Sequence, residues 1–205
     1  MPDSSESIHP PFSSRDRILL AAKHLFARNG YENTSTVTIA REAGTSESQL
    51  MKHFGSKQGL LAAIFERGWE SFNQRVRATQ RSGPPAERLF ALLEALVIEL
   101  ENDGDLKDLM MLEAKRVRKD NRDVLITRGM QHFADAIDEL LGEMSYQGQI
   151  RADLNLDATR AAIIGMTEGL IRDQVLAQRM GYPAAYGIQE LRGVFNTVIE
   201  GLVRK

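Results

Sequence analysis

The chain has 205 residues, 42% of them apolar and 26% charged, a formal net charge of −2 and no cysteine. That length and apolar share predict a folded chain with one substantial core, or a core and a small satellite domain. The lack of cysteine excludes disulfides and thiolate metal sites, and the four histidines (His9, His24, His53, His132) show no ligand spacing, so neither a metal nor a cofactor is expected.

No apolar run is long enough to span a bilayer and no signal-peptide pattern opens the chain, so the expected location is cytoplasmic. The net charge points to no partner, but its distribution does. Residues 13–60 carry seven cations (Arg15, Arg17, Lys23, Arg28, Arg41, Lys52, Lys57) against four acids (Asp16, Glu32, Glu42, Glu47), while the rest of the chain is acidic. A basic head on an acidic body suits a module that faces a polyanion.

In chain order, residues 1–12 are polar, end near Pro10-Pro11 and read as a flexible tail. Ser13 and Asp16 resemble a capping box, and Ile18, Ala21, Ala22, Leu25 and Phe26 form one stripe, which predicts a helix over about 14–28 that stops at Asn29-Gly30. Two short helices follow at about 37–43 and 47–53. A long one runs from after Ser56 to about Arg81, where Ser82-Gly83-Pro84-Pro85 breaks it. Further helices fit about 85–101, 105–118 and 121–146, the last with the stripe Ile126, Met130, Phe133, Ile137, Leu140, Leu141 and Met144. Gly148 to Asn155 connects to two final helices, about 156–179 and 184–203, separated by Gly181 and Pro183. The expectation is an all-α protein of about nine helices. It divides into a tail (1–12), a helix-turn-helix domain (13–58) and a helical domain (59–205).

The segment Thr36 to Phe54 carries the chemistry. Ala40 and Ala43 are small enough for two short helices to cross closely, and Gly44 stands at the corner where a left-handed backbone is often needed. Ser46 is placed to cap the next helix, with Gln49 as its capping-box partner. This is the helix-turn-helix pattern. Its second helix leaves Glu47, Ser48, Gln49, Met51, Lys52 and His53 off the apolar stripe. Such groups serve for base edges and phosphates, although the same face could be merely solvated. The chain offers no nucleophile–base pair, paired acids on one face, metal cluster or Gly-rich phosphate loop, so an enzyme is not expected.

From Arg15 to Glu66 the sequence resembles the N-terminal domain of the TetR family of bacterial transcriptional regulators. The resemblance rests on Leu25-Phe26, Gly30-Tyr31, Thr34-Ser35, Ile39-Ala40, Ala43-Gly44, Ser46, Leu50, His53-Phe54, Ser56-Lys57 and Leu60-Leu61. It implies a homodimer that binds palindromic double-stranded DNA and releases it when a small molecule enters the C-terminal domain. By residue, it implies that Thr36 contacts phosphate, that Ser48, Gln49 and Lys52 read base edges with Glu47 a further reader, and that His53 and Lys57 contact phosphate. Met51 departs from the family, which usually has a Tyr reaching phosphate there. A Met can instead touch a thymine methyl.

The resemblance also places an effector pocket among the middle helices, here lined by Phe65, Trp69, Phe72, Met110, Met111, His132 and Phe133, residues that would equally serve as core. The basic run Lys115 to Lys119 reads as a solvated helix end rather than an anion site. Ala158, Ala162, Gly165 and Gly169 form a small-residue stripe, and the last helix offers Ile188, Leu191, Phe195, Val198 and Leu202, widened by Val194 and Ile199. This face buries either in the chain's own core or against a second copy. The resemblance favours a two-fold interface through Ala162, Gly165, Gly169, Leu191, Phe195, Val198 and Leu202. The functional expectation is a ligand-released repressor, the alternatives being an activator of the same fold or a protein-binding adaptor without DNA binding.

Overall fold

The computed structural model describes residues 12–79, 83–112, 128–181 and 186–203. These form nine helices: α1 (Ser14–Asn29), α2 (Thr36–Glu42), α3 (Glu47–Phe54), α4 (Lys57–Thr79), α5 (Pro85–Asn102), α6 (Gly104–Leu112), α7 (Arg128–Tyr146), α8 (Leu156–Met180) and α9 (Ile188–Leu202). No strand is present among the described residues beyond one isolated antiparallel bridge, Ile150 to Val203. The all-α expectation is met. The expected tail before Phe12, the end of the fourth helix, the far half of 105–118, the start of 121–146, the start of the last helix and the run Lys115 to Lys119 lie outside the described residues.

The chain divides into two compact units between Ile64 and Phe65, and α4 runs across the division. In the first unit, α1 packs on α2 and α3 around Ile18, Ala22, Phe26, Ile39, Ala40 and Leu50, all buried. The stripe read on α1 is the reason, since Ile18, Ala22 and Phe26 recur every four residues and face one way. Ser13 caps the helix as expected, its Oγ accepting the Asp16 N–H at 3.1 Å.

In the second unit, α5 is the most apolar element and lies at the centre, packed on α6, α7 and α9, while α8 packs on α6 and α7. Leu89, Leu92, Leu93, Leu96, Val97 and Leu100 of α5 meet Phe133, Ile137, Leu140, Leu141 and Met144 of α7 in one buried core. Ion pairs bridge neighbouring helices at its edge: Arg88–Glu143 at 2.7 Å, Arg179–Asp108 at 2.5 Å and Arg192–Glu94 at 2.5 Å. Partly exposed pairs of this kind contribute at most about 1 kcal/mol each, so apolar burial holds the unit and the pairs fix helix register.

The structure corrects part of the expected dimer interface. Leu191 and Phe195 are each only 1% exposed within the single chain, and with Ile199 they face α5. They therefore belong to the protomer's own core. The helix has two adjoining apolar faces: 191, 195 and 199 turn inward, whereas Val194 is exposed and Val198 and Leu202 are half-buried. On α8, Ala162 and Gly165 are exposed and Gly169 is half-buried.

Tyr186 fixes the approach to α9. Its hydroxyl donates to the Leu170 carbonyl at 2.7 Å and lies 3.0 Å from Asp173 Oδ2. Burial, and then the neighbouring carboxylate, push the phenol up to about 12. A raised acid group stabilises the fold fully below its unfolded value of about 10, and that contribution is lost as pH rises towards 12. In alkaline titrations followed by circular dichroism, Tyr186→Phe should be less stable than the parent at pH 8 and should lose less between pH 10 and 12.

Candidate nucleic-acid interface

Three serines start the helices of the site. Ser35 Oγ accepts the Thr38 N–H at 3.1 Å at the head of α2, Ser46 Oγ accepts the Gln49 N–H at 3.2 Å at the head of α3, and Ser56 Oγ accepts the Gly59 N–H at 2.9 Å at the head of α4. Each satisfies an amide that the first helical turn leaves without a partner. Between α2 and α3 the chain reverses at Gly44, whose φ of 61° lies in the left-handed region that a side chain disfavours. The Thr45 N–H then returns to the Ala40 carbonyl at 2.9 Å and closes the corner. Arg17 of α1 braces the same corner, its Nε donating to the Ala43 carbonyl at 3.1 Å.

α3 is held by a single fully buried side chain, Leu50. Every residue around it that was expected to face DNA is at the surface: Glu47, Ser48, Gln49, Met51, Lys52 and His53 are all exposed. Met51 is 42% exposed, so the large side chain that departs from the family pattern is not there to fill the core. Gly59 lets α4 start directly against the end of α3. A methyl there would lie 2.2 Å from the Phe54 carbonyl oxygen, so the angle between these helices depends on its missing side chain.

Two expected contacts prove to be engaged within the protein. Lys57 is half-buried, its Nζ 4.3 Å from the centre of the Tyr31 ring and 3.4 Å from the Glu32 carbonyl. Its ammonium is thus positioned on an aromatic face rather than swinging freely. Thr36 is half-buried at the start of α2 and donates its hydroxyl proton to Glu47 Oε1 at 2.5 Å. Sequence reasoning missed this pairing. Thr36 and Glu47 are eleven residues apart, and only the angle at Gly44 brings the two helix starts together. The brace from Arg17 likewise left no local signal.

Residues 18–64 match the model of a family described as bacterial regulatory proteins, tetR family. Over this segment the chain carries a TetR-family N-terminal domain. Its α2–α3 pair is that family's DNA-binding helix-turn-helix, and the chain is a transcriptional regulator rather than an enzyme. Similarity extends beyond this domain. The HTH-type transcriptional regulator UidR of Escherichia coli K12 is 24% identical over 190 residues, 91% of this chain and 93% of UidR. The fatty acid degradation regulator FadR from Bacillus halodurans shares the fold at a TM-score of 0.79, with 20% identity over 93% of this chain and 96% of that one. The transcriptional regulator FadR from Bacillus subtilis, solved in complex with stearoyl-CoA, superposes at 0.78 with 22% identity over 92% and 97%.

In the second unit the structure brings together some of the residues expected around an effector. Trp69 and Phe72 of α4 and Phe133 of α7 form a buried triangle with ring centres 5.6 to 5.7 Å apart. Phe65 is buried as well, while Met110 and Met111 are half-buried on α6. His132 is exposed. It lines a cleft of about 210 Å³ with Glu66, Glu70, Asn73, Arg77, Arg128 and Gly129. Four of these seven lining residues are charged, and Glu66 accepts the Arg128 backbone N–H at 2.9 Å across the cleft. No helix among the described residues is long and apolar enough to cross a membrane.

Proposed function

We propose that the protein is a repressor that binds an inverted repeat as a homodimer and leaves it when a small molecule enters the second unit. The observation that carries the reading is the division of labour on α3. One buried leucine docks the helix, and six exposed polar or flexible side chains surround it. Ser48, Gln49 and Lys52 are assigned to base edges, Met51 to a thymine methyl, and His53 and Lys57 to phosphates. The exposed small residues Ala162 and Gly165 of α8, with Val194 of α9, supply a face on which a second copy can approach closely. Two recognition helices then sit about one DNA turn apart, roughly 34–36 Å.

The effector is assigned to the second unit by the family resemblance, and B. subtilis FadR, which shares the fold, was solved with stearoyl-CoA. An acyl thioester is therefore the first class to try. Trp69 is the chain's one tryptophan and forms one corner of the aromatic triangle, so its emission should respond to a ligand entering there.

The test is a mobility-shift selection of the purified protein against random genomic fragments at moderate salt. An inverted repeat should be enriched, and long-chain acyl-CoA is the first compound to add for release. Gln49→Ala should relax the base preference, whereas Lys57→Ala should weaken all sequences about equally and shrink the salt dependence by about one phosphate's share. Failure to prefer any sequence would sink the reading.

A further inference from the structure

Thr36 and Glu47 are the first residues of α2 and α3, and they are joined side chain to side chain. We propose that Glu47 reads a cytosine in each DNA half-site through a carboxylate that Thr36 holds in place, which makes Thr36 a positioning residue and not a phosphate ligand. This rests on the DNA-reading role assigned to α3.

The Thr36 hydroxyl has one proton, and Glu47 Oε1 already takes it. A phosphate at the same spot would have to displace a carboxylate, its own charge type, and would then lie beside it. Retaining the bond avoids that repulsion. The bond also removes freedom from a long side chain that would otherwise be disordered by its rotamers when DNA arrives. Thr is suited to the task, because branching at Cβ restricts it to few rotamers and so aims the hydroxyl.

One carboxylate oxygen is occupied by Thr36, and the second keeps its capacity to accept. Glu47 is exposed at the N-terminal end of the recognition helix, the end that such helices bring to base edges. An acceptor without a donor meets repulsion on three of the four major-groove edges. Guanine presents N7 and O6, adenine presents N7 beside its amino group, and thymine presents O4. Cytosine alone offers an amino donor with no acceptor of its own. The carboxylate therefore selects cytosine both by attraction and by exclusion of the others.

The experiment is selection of half-sites from a randomised DNA library by the full-length protein, followed by affinity measurements at several salt concentrations. The parent should enrich cytosine at one position of each half-site. Glu47→Gln should shift the preference at that position to guanine, since Thr36 keeps the amide oxygen and the amino donor left facing the groove suits the acceptors N7 and O6. Thr36→Val should lose most of the preference, about tenfold, at that position only, with an unchanged salt slope, and Thr36→Ser should restore it. A gain of guanine preference cannot come from misfolding, and the serine variant separates the hydroxyl from packing.

Three results would overturn the proposal. One is that Thr36→Val lowers affinity for every sequence alike and leaves the cytosine preference intact, as loss of a hydroxyl–phosphate contact does. Glu47→Ala could raise affinity uniformly, which would mark the carboxylate as a source of repulsion. Retention of the cytosine preference by Glu47→Gln would assign it to another residue. Should the parent enrich no sequence at all, the DNA-reading role of α3 fails first.

Discussion

Leu50→Ala should abolish operator binding and unfold the first unit without moving the thermal transition that Trp69 reports from the second. Leu50 is completely buried and is the only buried residue of the recognition helix. Truncating a buried leucine costs about 2–5 kcal/mol through lost transfer energy and the cavity left behind. A unit of this size has a total stability on the order of 3–10 kcal/mol, so the loss removes a large part of it. α3 spans only eight residues and is too short to hold together without that contact. Differential scanning calorimetry should show a low-temperature transition that the parent lacks, and gel shift should show no complex. If Leu50→Ala instead bound DNA within a few-fold of the parent, the account of how α3 is docked would be wrong. By comparison, Gln49→Ala should leave stability unchanged and alter only base preference, because its side chain is exposed.

Gly129→Ala is the second large effect, and its sign runs against the usual rule. Replacing a helical glycine by alanine commonly stabilises by about 0.5–1 kcal/mol, because alanine restricts the unfolded chain. At position 129 the added methyl would lie 1.9 Å from Trp69 Cβ and 2.3 Å from its Cγ. Carbon atoms in contact prefer about 3.5–4 Å, and Trp69 Cβ is fixed to its helix backbone, so no rotamer change relieves the overlap. α7 has to move away from α4, which opens the triangle of Trp69, Phe72 and Phe133. The expected cost is about 1–3 kcal/mol or more, read as a lower midpoint in denaturant together with red-shifted tryptophan emission. Gly142 lies on the same helix with nothing within 4 Å of its added methyl, so Gly142→Ala should be neutral or stabilising. Equal effects at both positions would refute the close-packing explanation.

The helices were legible because their signals are local. Ser13, Ser46, Gly44 and the four-residue spacing of Ile18, Ala22 and Phe26 fix where chain segments begin, turn and face. The exposed face of α3 could be read for the same reason, since one buried position in an eight-residue helix assigns every other residue to a side. The apolar width of α9 was also visible, but not its use. Leu191 and Phe195 resemble Val194 and Val198 in the sequence, and only packing on α5 decides which pair is core.

By itself the sequence determined an all-α regulator with a basic helix-turn-helix near its start, because caps, periodicity and turn chemistry act within a few residues. Only the tertiary structure joined Thr36 to Glu47, braced the turn with Arg17, set Lys57 on Tyr31 and pressed Gly129 against Trp69. Each of these contacts spans between eleven and sixty residues of chain. Which distant groups meet is set by how helices pack, and no local pattern encodes it.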